Sequence, residues 1–430
     1  MTDFEIKWPD DMAEQVRVAV GRIVVAGDAL RAMSLEERLR IVRLVLEDWT
    51  AADSAWRREL VATFSDESPF HEKTIREGLD SALRAWKPEA LVECTMRELA
   101  PALRSESIAL SPFAWTAVLA GGGIPMPTLL SGLLPLILGS PVLLREASGD
   151  RVTARLLKRS LESRSEVLAR AFEHVSFASE DLAFGELLAA PCVVATGSDE
   201  TIQSISSRLQ PGQRFVAYGH QFSIGILGSA LAEAEAGESI RQVSEAFALD
   251  IARWDQMGCL SPVVIYLVGL DPDTNEEIAN SLSQALEELH ERMPRGDLST
   301  AVCASHANEI AEARMRQAGG RAILCEGSSS VVILESDATP RPAPLHRFIR
   351  LMPVASLDKL KEALVPFAGH LSNVGAIGFS QEDVRNLNEL LSRLGVSRLT
   401  RPGRLQTPPI DWPHDGMPLM TPMAHFIQSD

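Results

Sequence analysis

The sequence predicts an α/β protein with parallel sheets behind a helical N-terminal region. From about residue 107 onwards, short apolar runs rich in β-branched residues alternate with stretches whose apolar residues recur every three or four positions. This alternation of strand and helix is typical of a parallel sheet. Residues 1–104 carry the helical period alone. A chain of 430 residues is long enough for two or three domains.

Composition and charge limit the partners and the compartment. The formal net charge of −17 disfavours nucleic acid and anionic membrane surfaces, because both repel acidic proteins. The most apolar run, 129–144, contains two prolines and divides into a helix and a strand, so no membrane span is expected. The stretch 1–7 has no apolar signal region, and the five scattered cysteines have no paired metal spacing. Together these features predict a cytoplasmic protein with reduced thiols.

The N-terminal region is expected to pack against the first sheet and to carry no chemistry. Ser34 with Glu37 reads as a capping box that starts one helix. A second helical pattern covers 74–99 and breaks around Pro88.

Residues 105–228 are predicted to form the first strand–helix unit. Its strands are expected at 115–120, 142–144, 175–177, 192–196, 214–217 and 224–227, and its helices at 126–137, 150–161, 179–188 and from 199. The loop with Gly122 and Gly123 either lets backbone approach a ligand or is only a tight turn. The turn Thr196-Gly197-Ser198 either presents amide groups to an anion or is an ordinary turn capped by Ser198.

Residues 229–380 are predicted to form a second alternating unit. A capping box at Ser239 and Gln242 starts an amphipathic helix. Strands are expected at 262–268, 300–303, 322–325 and 331–334, with helices at 274–293 and 308–317. Cys303 and Cys325 then lie in apolar strands and belong to the core.

Cys259 occupies a tight turn between this amphipathic helix and the strand that begins at Pro262. A thiolate stabilised there by amide groups or a cation is a candidate nucleophile. A small buried residue at a packed turn is the alternative, and spacing alone favours it because cysteine is among the most buried residue types.

The string from Trp254 to Pro262 resembles the nucleophile motif of LuxC-type acyl-CoA reductases, a branch of the aldehyde dehydrogenase superfamily. Stretches 370–377 and 397–416 are similar to other motifs of that branch. The resemblance runs from about residue 107 to the end. It implies an aldehyde-dehydrogenase-like fold with two Rossmann-like parallel-sheet domains and an active site in the cleft between them.

The resemblance also divides the chain into functional parts. It implies an NADP-binding domain at 105–228 and a catalytic domain at 229–380 that carries the nucleophile. Residues 381–430 then form a C-terminal segment that packs back on the cofactor domain or on an oligomer interface.

Several positions match cofactor-binding positions of the superfamily. Arg145 falls where a lysine usually holds the adenosine ribose, and arginine suits a 2′-phosphate, so NADPH is favoured over NADH. Thr196-Gly197-Ser198 is similar to the turn beneath the nicotinamide and pyrophosphate. Gly219 lies in a turn that follows a general-base glutamate in aldehyde-oxidising relatives. The matching place near Ala217 has no acid, so an acyl group is expected to persist on the enzyme.

The glycine loop departs from the superfamily pattern. Gly123 stands where relatives have an asparagine that donates to the oxyanion. The oxyanion would then depend on backbone N–H groups such as that of Cys259. Losing one such donor costs about a hundredfold or more in rate.

The C-terminal motif offers two further candidates. Arg401 and Arg404 flank a turn that either binds phosphate of coenzyme A or of a carrier protein's phosphopantetheine, or is a solvated turn or subunit contact. His414 beside Asp415 either protonates the aldehyde oxygen or anchors a loop through hydrogen bonds.

The resemblance implies a reductase in which Cys259 takes an acyl group from acyl-CoA or acyl-carrier protein and NADPH reduces it to an aldehyde. A CoA-acylating aldehyde dehydrogenase and a non-catalytic acyl-binding or scaffold subunit are the alternatives, and an acyl-phosphate reductase fits the cysteine motif less well. Expected partners are a second copy of the chain and an acyl-activating enzyme or acyltransferase.

Overall fold

The protein was analysed as a computed structural model that describes residues 11–232 and 239–428. The chain divides into two compact units. Unit 1 comprises Met1–Ser68, Trp86–His220 and Pro409–Asp430, and unit 2 comprises Pro69–Ala85 and Gln221–Pro408. The stretch 1–7, on which the expectation about secretion rests, lies outside the described residues. In the described ranges, no helix has both the length and the apolar character that crossing a membrane requires.

Helices and strands alternate through most of the chain. The helices are α1 (Met12–Ala32), α2 (Leu35–Thr50), α3 (Ala55–Glu67), α4 (Glu72–Ala85), α5 (Pro88–Arg104), α6 (Pro125–Leu138), α7 (Thr153–Glu162), α8 (Glu166–Arg170), α9 (Ala183–Leu187), α10 (Asp199–Ser206), α11 (Ile240–Ala252), α12 (Pro272–Arg292), α13 (Thr300–Ala318), α14 (Leu357–Leu364) and α15 (Gln381–Arg393). The strands are β1 (Ile108–Leu110), β2 (Thr116–Leu119), β3 (Val142–Arg145), β4 (Phe172–Val175), β5 (Cys192–Thr196), β6 (Arg214–Tyr218), β7 (Phe222–Gly228), β8 (Pro262–Val268), β9 (Ala322–Glu326), β10 (Val331–Glu335), β11 (Phe348–Val354), β12 (Leu371–Ile377), β13 (Arg398–Thr400) and β14 (Phe426–Gln428).

Unit 1 is built on a parallel sheet whose strands lie in the order β4-β3-β2-β5-β6. Counted from β2, this is the order 3-2-1-4-5 of a nucleotide-binding sheet. Successive strands are added on one side of β2 up to β4 and on its other side from β5, so the strand order reverses between β2 and β5. The central strands are buried along almost their whole length, as their unbroken apolar sequences require. In such sheets ligands bind beyond the carboxyl ends of the strands at the point of reversal.

The end of the described chain returns to unit 1. Strand β14 pairs antiparallel with β1. The carboxylate of Glu98, in α5, accepts hydrogen bonds from the backbone N–H groups of Leu419, Met420 and Thr421 at 2.9, 2.8 and 3.1 Å. The half-buried carboxylate of Glu98 therefore accepts hydrogen bonds from three consecutive amides and holds the C-terminal segment against α5.

Unit 2 is built on a sheet of the order β13-β12-β7-β8-β11-β10-β9 in the residues described. Its neighbouring strands are parallel except β9 and β10, which are antiparallel because the short turn 327–330 joins them as a hairpin. Helices α11 and α12 pack over this sheet through apolar residues that include Phe247, Ile251 and Leu282. The expected α/β architecture with two mainly parallel sheets is confirmed.

The strand predicted at 300–303 is wrong. Ser299 caps α13 by accepting a hydrogen bond from the backbone N–H of Val302 at 3.3 Å, and the helix continues to Ala318. A four-residue apolar run fits either period, so the pattern could not separate strand from helix. Cys303 is consequently an exposed residue of a helix, whereas Cys325 is a partly buried residue of strand β9.

Some predicted borders shift. The strand predicted at 175–177 is β4, which ends at Val175, and the helix predicted at 179–188 is limited to Ala183–Leu187. Strand β7 pairs with β8 and β12 in unit 2 and therefore lies outside the predicted first domain, which was expected to end at residue 228. Helix α4 also lies in unit 2, apart from the other N-terminal helices. Apolar patterning shows that a segment is buried but not which sheet buries it.

Candidate active site

The cysteine turn follows α11 directly. The predicted capping box is confirmed, because Ser239 accepts from the backbone of Gln242 while the Gln242 side chain accepts from the backbone of Ser239. The Cys259 side chain is exposed, so its reading as a small buried residue is wrong. Its carbonyl oxygen accepts a hydrogen bond of 2.8 Å from the Ser223 hydroxyl, which fixes the backbone beneath the thiol.

The three residues before the turn have left-handed backbone conformations. Trp254, Asp255 and Gln256 have φ angles of 53°, 47° and 65°, and each is at most 2% exposed. Residues with a Cβ lose about 1–2 kcal/mol each in this region. Three in succession persist only where surrounding contacts compensate.

Gln256 provides one set of such contacts. Its side-chain NH2 donates to the carbonyl of Pro262 at 2.9 Å, and its side-chain oxygen accepts from the backbone N–H of Phe348 at 2.9 Å. The side chain therefore bridges the two ends of the cysteine turn and attaches them to β11.

Trp254 and Arg253 attach the turn to α4. The Trp254 indole meets the Phe70 ring edge-on, with 5.5 Å between ring centroids. A Cβ on Gly78 would lie 2.4 Å from the indole Cε2, so only glycine lets α4 approach this closely. Arg253 also donates to the carboxylate of Glu77 at 3.2 Å.

The arginine turn of the C-terminal motif is fixed to α11. The buried carboxylate of Asp250 accepts from the backbone N–H groups of Gly403 and Leu405 at 2.6 and 3.1 Å. Burial raises the pKa of Asp250 to about 7, against the opposing effect of these amides. Arg401 and Arg404 are exposed on this turn. The helix that leads to Cys259 and the turn with the two cations are therefore held together.

In unit 1, the glycine loop lies at the carboxyl end of β2. A Cβ on Gly121 would come within 2.3 Å of the carbonyl oxygen of Thr196, so the loop and the end of β5 touch through backbone. Gly122 has a φ of 78°, which favours glycine. A Cβ on Gly123 would lie 3.3 Å from the carbonyl of Gly149. This is the point of reversal at which a parallel sheet of this order binds nucleotides.

The turn after β5 caps the N-terminus of α10 and also lies at the carboxyl edge of the unit 1 sheet. Ser198 accepts from the backbone N–H of Thr201 at 3.3 Å and so caps α10. Gly197 donates its N–H to the carbonyl of Tyr218 at 3.1 Å. A Cβ on Gly219 would lie 2.9 Å from the carboxylate of Asp199, so the two turns pack closely.

Arg145 ends β3 beside this edge. Its Nε and Nη2 donate to the carbonyl of Phe177 at 3.1 and 2.9 Å, and Nη2 also donates to the Ser179 hydroxyl at 3.0 Å. The guanidinium lies 5.4 Å from the centroid of the Phe177 ring. Within the described ranges, Nη1 has no hydrogen bond and is the atom through which Arg145 can bind a phosphate oxygen.

His414 lies against the end of β6. Its ring stacks on Tyr218 at 4.7 Å between centroids and meets the Trp412 ring edge-on at 4.9 Å. Burial lowers the pKa of His414, although Asp415 acts in the opposite direction. Burial therefore favours the neutral form of the imidazole. Since Tyr218 pairs with Thr196 across the sheet, His414 stands next to the predicted cofactor residues.

Two other cysteines, Cys94 and Cys192, are buried, whereas Cys259 is exposed. Burial raises the pKa of Cys94 to about 12 and that of Cys192 to about 11. Thiols of that kind stay protonated and unreactive near neutral pH.

The family follows from comparison with known proteins. The family described as acyl-CoA reductase (LuxC) matches residues 30–426. The chain belongs to the LuxC family. The resemblance seen in the sequence is thereby confirmed, and the match includes the Cys259 turn and the arginine turn.

Relatives of the LuxC-family chain are distant. A long-chain acyl-protein thioester reductase from Aliivibrio fischeri is 20% identical over 317 residues, which cover 73% of this chain and 63% of that protein. Aldehyde dehydrogenase 21 from Physcomitrella patens is 15% identical with a TM-score of 0.73, and the match covers 99% of this chain and 95% of that one. An aldehyde dehydrogenase from Brucella melitensis biovar abortus is 14% identical with a TM-score of 0.70, over 92% and 82% of the two chains. The expected aldehyde-dehydrogenase-like fold is confirmed.

The structure groups the predicted residues of the LuxC-family chain by unit. Unit 1 brings together the glycine loop, the turn at 196–198, Gly219 and His414, with Arg145 on a neighbouring strand. Unit 2 holds Cys259 with the arginine turn. Sequence reasoning missed Arg347, whose buried guanidinium pairs with Asp255. No local pattern marks it, because its partner lies far away in the chain.

Proposed function

We propose that this LuxC-family protein reduces acyl thioesters to aldehydes, with Cys259 as the nucleophile. The observation that carries the proposal is an exposed thiol on a turn that buried contacts hold, within the segment that matches the family. The name of the relative from Aliivibrio fischeri supports an acyl thioester as the substrate class.

In the first step the Cys259 thiolate attacks the carbonyl carbon of the thioester. A new carbon–sulfur bond forms, the bond to the coenzyme A or carrier sulfur breaks, and that thiol leaves with a proton from solvent. The position near Ala217 that matches the general-base glutamate of aldehyde-oxidising relatives carries no acid. The carboxylate beside this turn, that of Asp199, accepts a hydrogen bond from the backbone N–H of His220 at 2.9 Å. The acyl group therefore stays on Cys259 until it is reduced.

The residues of unit 1 fit a dinucleotide at the β2–β5 edge. Gly121 has no Cβ that would obstruct a ligand at this edge. The Thr196-Gly197-Ser198 turn leads into the N-terminus of α10, where backbone N–H groups can bind an anion. A reduced nicotinamide, when bound, supplies the two electrons and the hydrogen that convert the acyl group to an aldehyde. We assign the cofactor as NADPH, because Arg145 offers Nη1 to a 2′-phosphate.

The remaining predicted residues receive roles on the same basis. Arg401 and Arg404 bind the phosphates of coenzyme A or of a carrier's phosphopantetheine. His414, whose neutral form burial favours, orders the strand edge beside Tyr218 and accepts or donates a proton through its ring. We further propose a long acyl chain, a homo-oligomer, an acyl-activating enzyme or acyltransferase as partner, and a cytoplasmic location.

The decisive experiment uses Cys259→Ala with Cys303→Ala as the matched control, since both thiols are exposed. Incubation with acyl-CoA should add one acyl group to the parent and to Cys303→Ala, and NADPH should remove it as aldehyde. Cys259→Ala should show neither acylation nor NADPH consumption. Reduction at the parental rate by Cys259→Ala would overturn the proposal.

The same assay separates the alternatives. An acyl group that NADPH never removes points to an acyl-carrying subunit, and faster turnover from aldehyde and CoA points to an acylating dehydrogenase. A panel of acyl-CoA and acyl-carrier-protein substrates of different chain lengths then identifies the donor and the preferred chain.

A further inference from the structure

Two left-handed segments face each other in unit 2. Residues 254–256 precede the cysteine turn, and residues 345–347 precede β11, with φ angles of 63°, 53° and 67°. Within the described parts of the chain, only Asp415 is a further non-glycine residue with positive φ. Six such residues in two triplets indicate a local arrangement that the surrounding contacts impose.

A buried ion pair joins the two segments. The Nε and Nη2 atoms of Arg347 donate to one oxygen of Asp255 at 2.9 and 2.6 Å. Both side chains are at most 3% exposed. Arg347 also donates to the carbonyl of Ala252, the last residue of α11, at 3.4 Å. One guanidinium therefore holds the end of the helix and the start of the cysteine turn.

The second oxygen of Asp255 extends this connection. It accepts from the backbone N–H of Gly296 at 2.9 Å. Gln256 adds its bond to the backbone of Phe348, the residue next to Arg347. Two separate segments, at 296 and at 347–348, thus converge on the two residues that lie three and four positions before Cys259.

We propose that Arg347 is a positioning residue for the Cys259 thiol, and that it acts through its ion pair with Asp255. Paired with Asp255, Arg347 keeps Trp254, Asp255 and Gln256 in the left-handed conformation and so fixes the direction in which the turn presents its thiol. Without Arg347, the buried carboxylate lacks its cation and the backbone returns to right-handed angles. This role of Arg347 in turnover rests on the proposed function, whereas its effect on the position of the thiol does not.

The chain offers a matched control for the loss of a buried arginine. Arg350, three residues further along β11, is 1% exposed and donates to the carboxylates of Glu335 and Glu309. Its ion pairs do not involve the cysteine turn. Arg347→Gln and Arg350→Gln therefore remove equally buried charges, but only the first loosens the segment before Cys259.

The test measures how fast iodoacetamide alkylates Cys259 in the full chain, read from the mass of its peptide. Arg347→Gln should react at least about threefold more slowly than Arg350→Gln, because a thiol that samples many directions reacts less often. A smaller difference, or faster reaction of Arg347→Gln, overturns the proposal. Alkylation needs no acyl substrate, so the result stands even if the parent proves unable to reduce acyl-CoA.

Turnover adds a readout that general loosening would not give. In a parent that is active, Arg347→Gln should lower kcat while the KM for NADPH stays unchanged, and an equal loss of kcat in Arg350→Gln overturns the proposal. If Arg347→Gln does not fold, the double variant D255N/R347Q removes both charges and is held to the same threshold. If neither folds while Arg350→Gln does, the pair serves stability alone and the proposal fails.

Discussion

The predicted cofactor edge of unit 1 and the cysteine turn of unit 2 are constructed differently. The first is made of backbone at the ends of parallel strands, where Gly121 touches Thr196 and Gly197 donates to Tyr218. The second is held by buried side chains, such as Asp250 and Gln256, that reach distant segments. A backbone site depends on the absence of Cβ atoms, whereas a side-chain site depends on particular polar groups.

This difference matches the roles that we propose for the two parts. A dinucleotide is large and needs a groove that backbone can approach closely. A nucleophile needs one atom in one place, and small displacements are costly. The following predictions test whether the two regions respond to substitution as their construction requires.

The largest effect is expected for the link between α11 and the arginine turn. In the folded chain burial raises the pKa of Asp250 to about 7, while an unfolded aspartate titrates near about 3.9. Between these values the folded state keeps a proton that the unfolded state has lost. The free energy of unfolding should therefore fall as pH rises through this window, by up to about 1.4 kcal/mol per pH unit.

Urea unfolding of the parent and of Asp250→Asn at several pH values measures this contribution. The variant should show a flatter dependence between about pH 4 and 7 and no difference in slope outside that window. Parallel curves for the two proteins would contradict the assignment.

Gln256→Leu is the next largest change. It leaves the N–H of Phe348 and the carbonyl of Pro262 without their partner, at about 1–3 kcal/mol for each group. Urea unfolding should register the loss, and alkylation of Cys259 should change. Gln213→Leu is the matched control in unit 1, because Gln213 donates to the carbonyls of Leu188 and Ala190. It should cost stability yet leave Cys259 alkylation at the parental rate.

Gly121→Ala tests the backbone site. The new Cβ would meet the carbonyl of Thr196 at 2.3 Å, and such overpacking costs about 1–3 kcal/mol. NADPH binding, followed by nucleotide fluorescence, should weaken while Cys259 alkylation is unaffected. Gly122→Ala is the control, because no atom lies within 4 Å of its new Cβ and only its φ of 78° is unfavourable for alanine. This variant should bind NADPH more tightly than Gly121→Ala. Equal affinities of Gly121→Ala and the parent would disprove the contact.

Arg145→Gln should have the smallest effect. Losing one charged donor to a 2′-phosphate is expected to raise the Kd for NADPH about tenfold and to leave that for NADH nearly unchanged. Titrating both nucleotides against the parent and the variant measures the ratio. A similar loss for both nucleotides would show that Arg145 only supports the strand edge through Phe177.

The sequence predicted the buried strands and the local turns well. Strands β5 and β8 have their predicted bounds, because unbroken β-branched runs flanked by turn residues leave few alternatives. The same reasoning failed at 300–303, where a short apolar run belongs to α13. It also could not foresee the antiparallel hairpin of β9 and β10, since direction depends on a turn and not on apolar pattern.

For the candidate site, only features that are encoded in a contiguous stretch of sequence could be predicted. Cys259 could be proposed because its motif is contiguous, and the turns at 121–123 and 196–198 because glycine marks them. Arg347 and α4 were missed because each acts on the cysteine turn from a remote part of the chain. Long-range contacts leave no periodic trace in a single sequence.

Unit 1 is assembled from three separated parts of the chain, and β14 pairs with β1. On a ribosome the chain emerges from its N-terminus, so the first strand of that pair leaves the exit tunnel long before its partner is made. Strand β1 and the carboxylate of Glu98 must remain without their final partners while the roughly 300 residues that separate them from the C-terminal segment are made. A chain that stops before Leu419 should therefore be retained by chaperones, because β1 and Glu98 then lack their partners in unit 1.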